Sequence, residues 1–188
     1  MLTKAEVRRL MREELAHLSP GERRRKSEGV AGAVLSLPEV TGAHVVMAFL
    51  SLPDEVDTRP LIDGLWQQGK VVAVPHTDVA GGRLLPVRLD RGGALEPGAL
   101  SVPEPRVQEP VPLAEVEVVI LPGRAFDRDG HRLGRGKGFY DRFLQQKRCV
   151  AFRVAVAFSE QVLAALPHGP NDARVHVLVT EDEVLRFP

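Results

Sequence analysis

The sequence predicts an α/β protein, a three-layer α/β/α domain with a mainly parallel central sheet and a pair of helices at its N-terminus. The parallel sheet follows from a strand, helix and strand pattern between residues 45 and 74, because parallel strands need a crossover connection. Later runs rich in β-branched residues supply further strands. The 188 residues, 44% of them apolar, are enough for a substantial core, so we expect residues 1–188 to form a single domain.

Two capping-box patterns predict the N-terminal helices. Thr3 with Glu6 begins the first helix, and Ser19 with Glu22 begins the second. The apolar residues expected to face the core are Val7, Leu10, Met11, Leu15 and Leu18 in the first helix, and Val30, Val34 and Leu37 in the second. Lys4 and Arg8 are four residues apart, so they project from one side of the first helix. Taken alone, this pair indicates a solvated face.

The elements after residue 44 follow from changes in hydrophobic period. Short apolar runs predict strands at 45–50, 71–74, 116–121, 150–157 and 175–180, and we expect Pro75 to end the second strand. Helices are expected at 61–68, where Gly69 ends the pattern, and at 140–146 and 161–165. The many prolines and glycines between 81 and 112 predict a hairpin at Gly81-Gly82 and then irregular loop.

Composition excludes several classes of protein. The 25 basic residues balance the 25 acidic residues, which disfavours a general nucleic-acid binder. The single cysteine, Cys149, excludes an internal disulfide framework, and we expect it to be a small buried apolar residue. No HxxxH or HxH spacing indicates zinc. Neither a signal peptide nor a membrane span is visible, so we expect a cytoplasmic protein with no membrane partner.

A glycine-rich basic segment, residues 121–144, carries the strongest functional signal. Glycines 130, 134, 136 and 138 recur among six Arg or Lys residues, against three aspartates. Glycine lets backbone amides turn toward a ligand, and cationic side chains beside such amides form an anion site, most often for phosphate. Lys137 is followed by Gly138 instead of Ser or Thr, so the segment is not a P-loop. The alternative is a mobile, solvated basic loop.

Carboxylates at three places could serve a site of this kind. Asp54, Glu55 and Asp57 follow the strand expected at 45–50, where α/β sheets place their ligands, although Asp57 or Thr58 could simply cap the next helix. Asp141 directly follows the glycine-rich segment and could bind a Mg²⁺ ion that bridges phosphate oxygens. Asp172 is a second candidate, with ordinary turn chemistry as its alternative.

Several blocks together carry a resemblance to a known family. They are Lys4-x-x-x-Arg8, Phe49-Leu50-Ser51, Glu55-Val56-Asp57-Thr58, Gly69-Lys70-Val71, Val74-Pro75, Val102-Pro103-Glu104-Pro105, Leu121-Pro122-Gly123-x-Ala125-Phe126-Asp127 and Arg132-Leu133-Gly134-Arg135-Gly136-Lys137-Gly138-Phe139-Tyr140-Asp141-Arg142. In this order they resemble the 5-formyltetrahydrofolate cyclo-ligase family over essentially the whole chain. Two departures are present: Phe139 stands where the family has tyrosine, and the turn before Asp172 lacks the usual glutamate.

The resemblance implies an enzyme that converts 5-formyltetrahydrofolate to 5,10-methenyltetrahydrofolate with MgATP, releasing ADP and phosphate. We expect the protein to be a monomer. The resemblance also implies catalytic roles for Arg135 and Lys137. The implied ATP site is Lys4, Arg8, Arg132, Leu133, Gly134, Arg135, Gly136, Lys137, Gly138, Phe139 and Tyr140. The implied folate site is Leu50, Glu55, Arg135, Gly136, Lys137, Gly138 and Phe139, and the implied Mg²⁺ ligands are Asp141 and Asp172. The alternative is a non-catalytic folate- or nucleotide-binding relative of the same fold.

Overall fold

The computed structural model describes residues 2–188 and confirms the α/β class. Its α-helices are α1 (Lys4–Ala16), α2 (Pro20–Leu35), α3 (Pro38–Gly42), α4 (Arg59–Gln67) and α5 (Phe139–Leu144). Its strands are β1 (Val45–Met47), β2 (Val71–Asp78), β3 (Arg83–Arg88), β4 (Leu95–Pro97), β5 (Pro103–Pro105), β6 (Val118–Leu121), β7 (Ala125–Asp127), β8 (Arg132–Leu133), β9 (Phe152–Val156), β10 (Val162–Leu163), β11 (Val177–Val179) and β12 (Val184–Arg186). No helix within this range is both long and apolar enough to cross a membrane.

Seven strands form the central sheet in the order β12-β11-β9-β6-β1-β2-β3. The five inner strands run parallel to one another, and the two edge strands, β3 and β12, run antiparallel to the strands beside them. This confirms the mainly parallel sheet. A consequence for function is that β1, β2 and β6 lie side by side and end at the same edge, where the following loops can share one site.

The two faces of the sheet are covered differently. Alternate strand residues such as Val46, Val72 and Ile120 pack with apolar residues of α2, α3 and α4 on one face. On the other face, Met47 and Leu121 pack with Phe143 of α5 and with Phe126 of the small sheet β10-β7-β8. The layer on this second face is therefore built from one short helix and a small sheet.

The N-terminal helices begin at the predicted caps and then join different parts of the core. Both capping boxes form, at Thr3 and at Ser19. In α1, Val7 and Met11 pack with Leu133 and Leu166 in a separate apolar cluster. Helix α2 instead packs its buried residues on the central sheet. Helix α1 is thus attached beside the glycine-rich segment, which matters for the site.

The prediction that Pro75 ends the second strand is wrong, because β2 continues to Asp78. Along β2, the backbone N–H and C=O groups of successive residues point alternately toward β1 and toward β3. The carbonyl of Ala73 accepts a hydrogen bond from Ala48 on the β1 side, so the missing N–H of Pro75 also belongs to that side. Strand β1 has already ended opposite Ala73, so Pro75 removes no ladder bond.

Three other expectations need correction. The helix predicted at 161–165 is wrong, because a 3-10 turn at Ser159–Gln161 leads directly into β10, which pairs with β7. The supposedly irregular region contains a two-stranded ribbon, β4–β5, after the correctly predicted hairpin between β2 and β3. Leu37 lies beyond α2, at the start of α3. Short pieces of this kind have too few residues to show a hydrophobic period.

Cys149 is half-buried, not fully buried as expected. Strand β9 begins only at Phe152, and the neighbouring Val150 is exposed to solvent. Burial raises the pKa of the Cys149 thiol, so the thiol is less reactive than that of a free cysteine. The thiol therefore has no expected chemical role.

Candidate active site

One cavity of about 510 Å³ lies at the carboxyl edge of the central sheet. The loops after β1 and β6 line it, together with the C-terminal half of β2, the glycine-rich segment and the start of α1. Its lining includes every residue expected from the sequence to bind ATP, folate or magnesium, namely Lys4, Arg8, Leu50, Glu55, residues 132 to 140, Asp141 and Asp172. Residues from both ends of the chain therefore meet in one place.

The glycine-rich segment is fixed by α1. The Nε atom of Arg8 donates to the carbonyl oxygen of Gly134 at 2.8 Å. Gly136 has φ of 105° and Gly138 has φ of 68°, a left-handed region that side chains other than glycine rarely adopt. A Cβ atom at Gly136 would also lie 3.3 Å from the Arg8 guanidinium carbon. Glycine at position 136 therefore allows the segment to pass close to α1.

Two cation–carboxylate pairs lie where magnesium ligands were expected. Arg132, which is almost completely buried, donates from Nη2 to Oδ1 of Asp141 at 2.8 Å. Lys4 pairs with Oδ2 of Asp172, which also accepts the Gly169 amide at 2.8 Å. Burial opposes ionisation of Asp172, but its hydrogen bonds to Lys4 and Gly169 dominate and hold its pKa below the usual range. Asp172 is therefore ionised at neutral pH.

A third ion pair joins Glu55 to the glycine-rich segment. The Nε atom of Arg135 donates to Oε1 of Glu55 at 2.9 Å, and the Leu52 amide donates to Oε2 of Glu55 at 3.0 Å. Asp54 accepts from Arg135 and from Arg124, each at 2.5 Å. Burial raises the pKa of Asp54, but the two arginines outweigh that effect and lower it overall. Arg135 is thus held by both Asp54 and Glu55.

Aromatic side chains follow the last glycine. The Arg142 guanidinium lies 5.1 Å from the centre of the Phe139 ring, and Arg132 lies 5.7 Å from the centre of the Tyr140 ring. Burial raises the pKa of the Tyr140 phenol, and the nearby Glu55 carboxylate adds to this effect. Tyr140 therefore keeps its proton at neutral pH and can act as a hydrogen-bond donor in the cavity.

The cavity lining also contains apolar residues. Sequence analysis found Leu50 but missed apolar residues from other parts of the chain, which are Phe49, Leu52, Pro75, Leu84, Leu100, Val102 and Pro122. Pro75 and Leu84 lie in strands β2 and β3, and the others lie outside the strands, where no hydrophobic period distinguishes a cavity wall from a core residue. The lining therefore combines basic, glycine-rich residues with apolar residues, and Glu55 and Arg135 are paired within it.

One cluster outside the cavity has the composition of a metal site. Possible ligand atoms of Asp127, Asp129 and His131 lie within 4.8 Å of one another. The Asp127 carboxylate, however, already accepts hydrogen bonds from the amides of Asp129, His131 and Leu166 and pairs with the His131 ring. These contacts place the buried Asp127 carboxylate at the centre of a tight turn. We therefore assign Asp127 a structural role.

Comparison with known proteins agrees with the sequence motifs. The profile of the 5-formyltetrahydrofolate cyclo-ligase family matches residues 1–181. The chain belongs to this family. The 5-formyltetrahydrofolate cyclo-ligase of Escherichia coli strain K12 is 34% identical over 179 residues, which cover 93% of this chain and 98% of the relative. The mouse 5-formyltetrahydrofolate cyclo-ligase is 31% identical over 193 residues, covering 94% and 92% of the two chains.

Solved structures show the same architecture. The NMR structure of Aquifex aeolicus 5,10-methenyltetrahydrofolate synthetase aligns with a TM-score of 0.86 and 38% identity, covering 98% of this chain and 93% of that one. A 5,10-methenyltetrahydrofolate synthetase from Mycoplasma pneumoniae has a TM-score of 0.78 at 16% identity and supports the fold alone. Family membership confirms the resemblance drawn from the motifs. It makes the protein an enzyme of the ligase class that acts on folate.

Proposed function

We propose that the protein converts 5-formyltetrahydrofolate to 5,10-methenyltetrahydrofolate with consumption of ATP and release of ADP and phosphate. The observation that carries the proposal is that one cavity is lined both by a basic, glycine-rich segment and by apolar residues. A nucleoside triphosphate needs the first kind of surface, and a flat pterin ring needs the second. The contact between Glu55 and Arg135 joins the two surfaces.

The triphosphate would lie along the glycine-rich segment. Residues 132 to 140 supply backbone amides and the cations Arg132, Arg135 and Lys137, and the start of α1 adds Lys4 and Arg8. The nucleotide would meet Arg8, Arg132 and Lys4 already held in place by their contacts with Gly134, Asp141 and Asp172. Prearranged cations of this kind stabilise a transferred phosphoryl group without reorganisation during the reaction.

The folate would lie against the apolar residues of the cavity lining. Leu50 and Phe139 would contact its ring system, and the Glu55 carboxylate would accept hydrogen bonds from the pterin. Glu55 is well placed for this role, because the Leu52 amide fixes one of its oxygens. Folate bound there would have its formyl group close to Arg135, the partner of Glu55.

The proposed chemistry turns the formyl oxygen into a leaving group. That oxygen attacks the γ-phosphorus of ATP, so a new O–P bond forms while the bond to the ADP oxygen breaks. N10 then adds to the activated formyl carbon, phosphate departs with the formyl oxygen, and the N10 proton is lost to complete the ring. Arg135 and Lys137 would stabilise charge on the moving phosphoryl group, and the cavity would align the reacting atoms.

The donor set also fits Mg²⁺. Asp141 and Asp172 each use one carboxylate oxygen for a cation of the protein, and within residues 2–188 their other oxygens accept no hydrogen bond. Mg²⁺ is commonly held by one or two carboxylates together with phosphate oxygens and water. Asp141 and Asp172 would hold the ion, and the ion would supply neutralisation of phosphate charge.

The first test is a coupled assay on the purified chain. Protein, 5-formyltetrahydrofolate, ATP and Mg²⁺ are combined, and methenyl absorbance and ADP are followed together. We expect product and ADP in equal amounts, and only when every component is present. ATP or folate binding in calorimetry without product would contradict the proposal and would favour the non-catalytic relative.

A further inference from the structure

The ion pair between Glu55 and Arg135 is the end of a longer chain of alternating charges. The chain runs Arg124, Asp54, Arg135, Glu55, and its links are 2.5 Å, 2.5 Å and 2.9 Å long. Arg135 and Glu55 line the cavity, whereas Asp54 and Arg124 do not. The proposed reaction gives no role to Asp54 or Arg124.

Arg124 gives this chain of charges a rigid base. Arg124 is only 9% exposed. Its backbone amide donates to the Leu133 carbonyl at 2.6 Å, and its backbone carbonyl accepts from the Gln161 side chain at 3.2 Å. Backbone and side chain of Arg124 are therefore both fixed. Because Nη1 of Arg124 donates to Oδ2 of Asp54, the Asp54 carboxylate is also fixed in position.

Asp54 in turn orients the Arg135 side chain, which is 38% exposed. No residue of the glycine-rich segment, all of which the structure describes, forms a hydrogen bond with this side chain. One edge of the planar guanidinium is occupied, with Nε on Glu55 and Nη2 on Asp54. Its remaining nitrogen, Nη1, makes no hydrogen bond to any residue between 2 and 188. When one edge of a planar guanidinium is held, the direction of the other edge is set as well.

The charges along the chain explain why Arg124 is needed. Two carboxylates on Arg135 without a further cation would give the group a net negative charge and would repel a phosphate. Arg124 balances Asp54, so the four groups together are neutral and Arg135 keeps its attraction for an anion. If a folate pterin donates hydrogen bonds to the Glu55 carboxylate in place of Arg135, the contact between Asp54 and Arg135 still holds the guanidinium.

We propose that Asp54, anchored by the buried Arg124, is a positioning residue that holds the Arg135 guanidinium in place for the transferred phosphoryl group. This inference rests on the proposed function. Asp54 acts only through Arg135, so its removal matters when Arg135 is present and not when Arg135 is absent.

A double-mutant cycle tests this dependence. Steady-state kcat and KM are measured for the wild type, Asp54→Asn, Arg135→Gln and the double variant. We expect Asp54→Asn to lower kcat by about 10-fold, with KM for 5-formyltetrahydrofolate changed by less than about 2-fold. In the Arg135→Gln background we expect no further loss of kcat from Asp54→Asn. Equal losses in both backgrounds, or unchanged kcat in Asp54→Asn, would overturn the proposal.

A loss of folding must be separated from a loss of positioning, because Asp54→Asn leaves Arg124 buried without its partner. The variant carrying both Asp54→Asn and Arg124→Gln removes that unpaired charge. We expect it to regain Tm relative to Asp54→Asn while its kcat stays low. Recovery of kcat together with Tm would show a merely structural role and overturn the proposal.

Asp57→Asn is the matched control. Asp57 lies three residues after Asp54 and also pairs with an arginine, but its partner Arg59 is 83% exposed and is not part of the cavity lining. We expect kcat of Asp57→Asn to equal that of the wild type. A loss matching that of Asp54→Asn would show a general effect of charge in this loop and overturn the proposal.

The cycle also separates this inference from the proposed function. A wild-type protein that forms no product would contradict the proposed function, and MgATP affinity would then be measured by calorimetry in the same four proteins. Non-additive effects of Asp54→Asn and Arg135→Gln on Kd would still support positioning. Additive effects, or no binding of MgATP to the wild type, would overturn it.

Discussion

Lys137 differs from most other cations of the cavity at the scale of single residues. Lys4, Arg132 and Arg135 are each paired with a carboxylate, whereas within residues 2–188 the Lys137 ammonium group has no such partner. Its side chain is exposed at the cavity wall. A cation with no protein partner is fully available to an incoming anion, and its replacement disturbs no internal contact.

Lys137→Ala should therefore lower kcat by about 100-fold or more, because it removes a charge that stabilises the transferred phosphoryl group. The free energy of unfolding should change by less than about 0.5 kcal/mol, as for other exposed positions. Turnover and thermal unfolding are measured on the same preparation. Lys147→Ala, which removes an exposed lysine outside the cavity, should leave both unchanged. Near-normal turnover of Lys137→Ala would refute its assigned role.

At this scale the sequence indicated which side chains matter but not how they pair. The types of residue in the segment 132 to 141 predicted an anion site, and this segment lines the cavity. The contact between Lys4 and Asp172 joins residues 168 positions apart, and that between Asp54 and Arg135 joins residues 81 apart. No local pattern encodes such pairs, because they depend on how distant elements pack.

Helix α1 is the element that connects the capping pattern to the site. Its N-cap, Thr3, directly precedes Lys4, and Arg8 follows about one turn later. The cap satisfies backbone N–H groups at the start of the helix and so keeps the first turn formed. A weaker cap should loosen Lys4 and Arg8 together.

Thr3→Ala and Ser19→Ala form a matched pair that tests this link. Each removes the side chain of a capping box, so each should lower the free energy of unfolding by about 1 kcal/mol. Only Thr3→Ala should raise KM for ATP, by about 3-fold or more, since α2 contributes no residue to the cavity. Denaturant unfolding and steady-state kinetics measure the two effects. An equal change of KM in both variants would exclude a specific link between the cap and the site.

The prediction for the end of β2 failed because a rule based on proline alone does not take account of the neighbouring strand. Proline usually ends a strand, yet Pro75 remains within β2 because β1 has already ended on the side where its donor is missing. The capping rule succeeded at both N-terminal helices because it depends on residues three apart. The course of β2 depends on the length of its neighbour, which no window of sequence contains.

At the scale of the whole molecule, several carboxylates are held in ionised form by the fold. Asp127 and Glu181 are buried enough to oppose ionisation, but hydrogen bonds to backbone, serine, lysine or histidine groups outweigh this effect and lower both pKa values. A carboxyl group with a lowered folded-state pKa stabilises the protein above its unfolded-state pKa, near 4. That stability is lost as pH falls through the folded-state value.

Tm should therefore stay nearly constant from pH 7 to about pH 5 and fall steeply below about pH 4. Asp127→Asn should have a lower Tm at pH 7 and a flatter fall in acid, because it removes one of the groups responsible. Glu96→Gln, at an exposed carboxyl group outside the cavity, should follow the wild-type curve. Calorimetric scans between pH 3 and pH 7 make the comparison. Parallel curves for Asp127→Asn and the wild type would contradict this account.

The sequence by itself determined the α/β class, the capped N-terminal helices and the basic, glycine-rich composition of the segment that lines the cavity. These features depend on hydrophobic period, capping and residue type over a few neighbouring positions. Only the tertiary structure decided which ends of strands share a cavity, which residues form its apolar wall and how Asp54, Arg124 and Arg135 are linked. Those features arise from contacts between segments far apart in the chain. Such contacts form, and stabilise the protein, only when the whole sheet has folded.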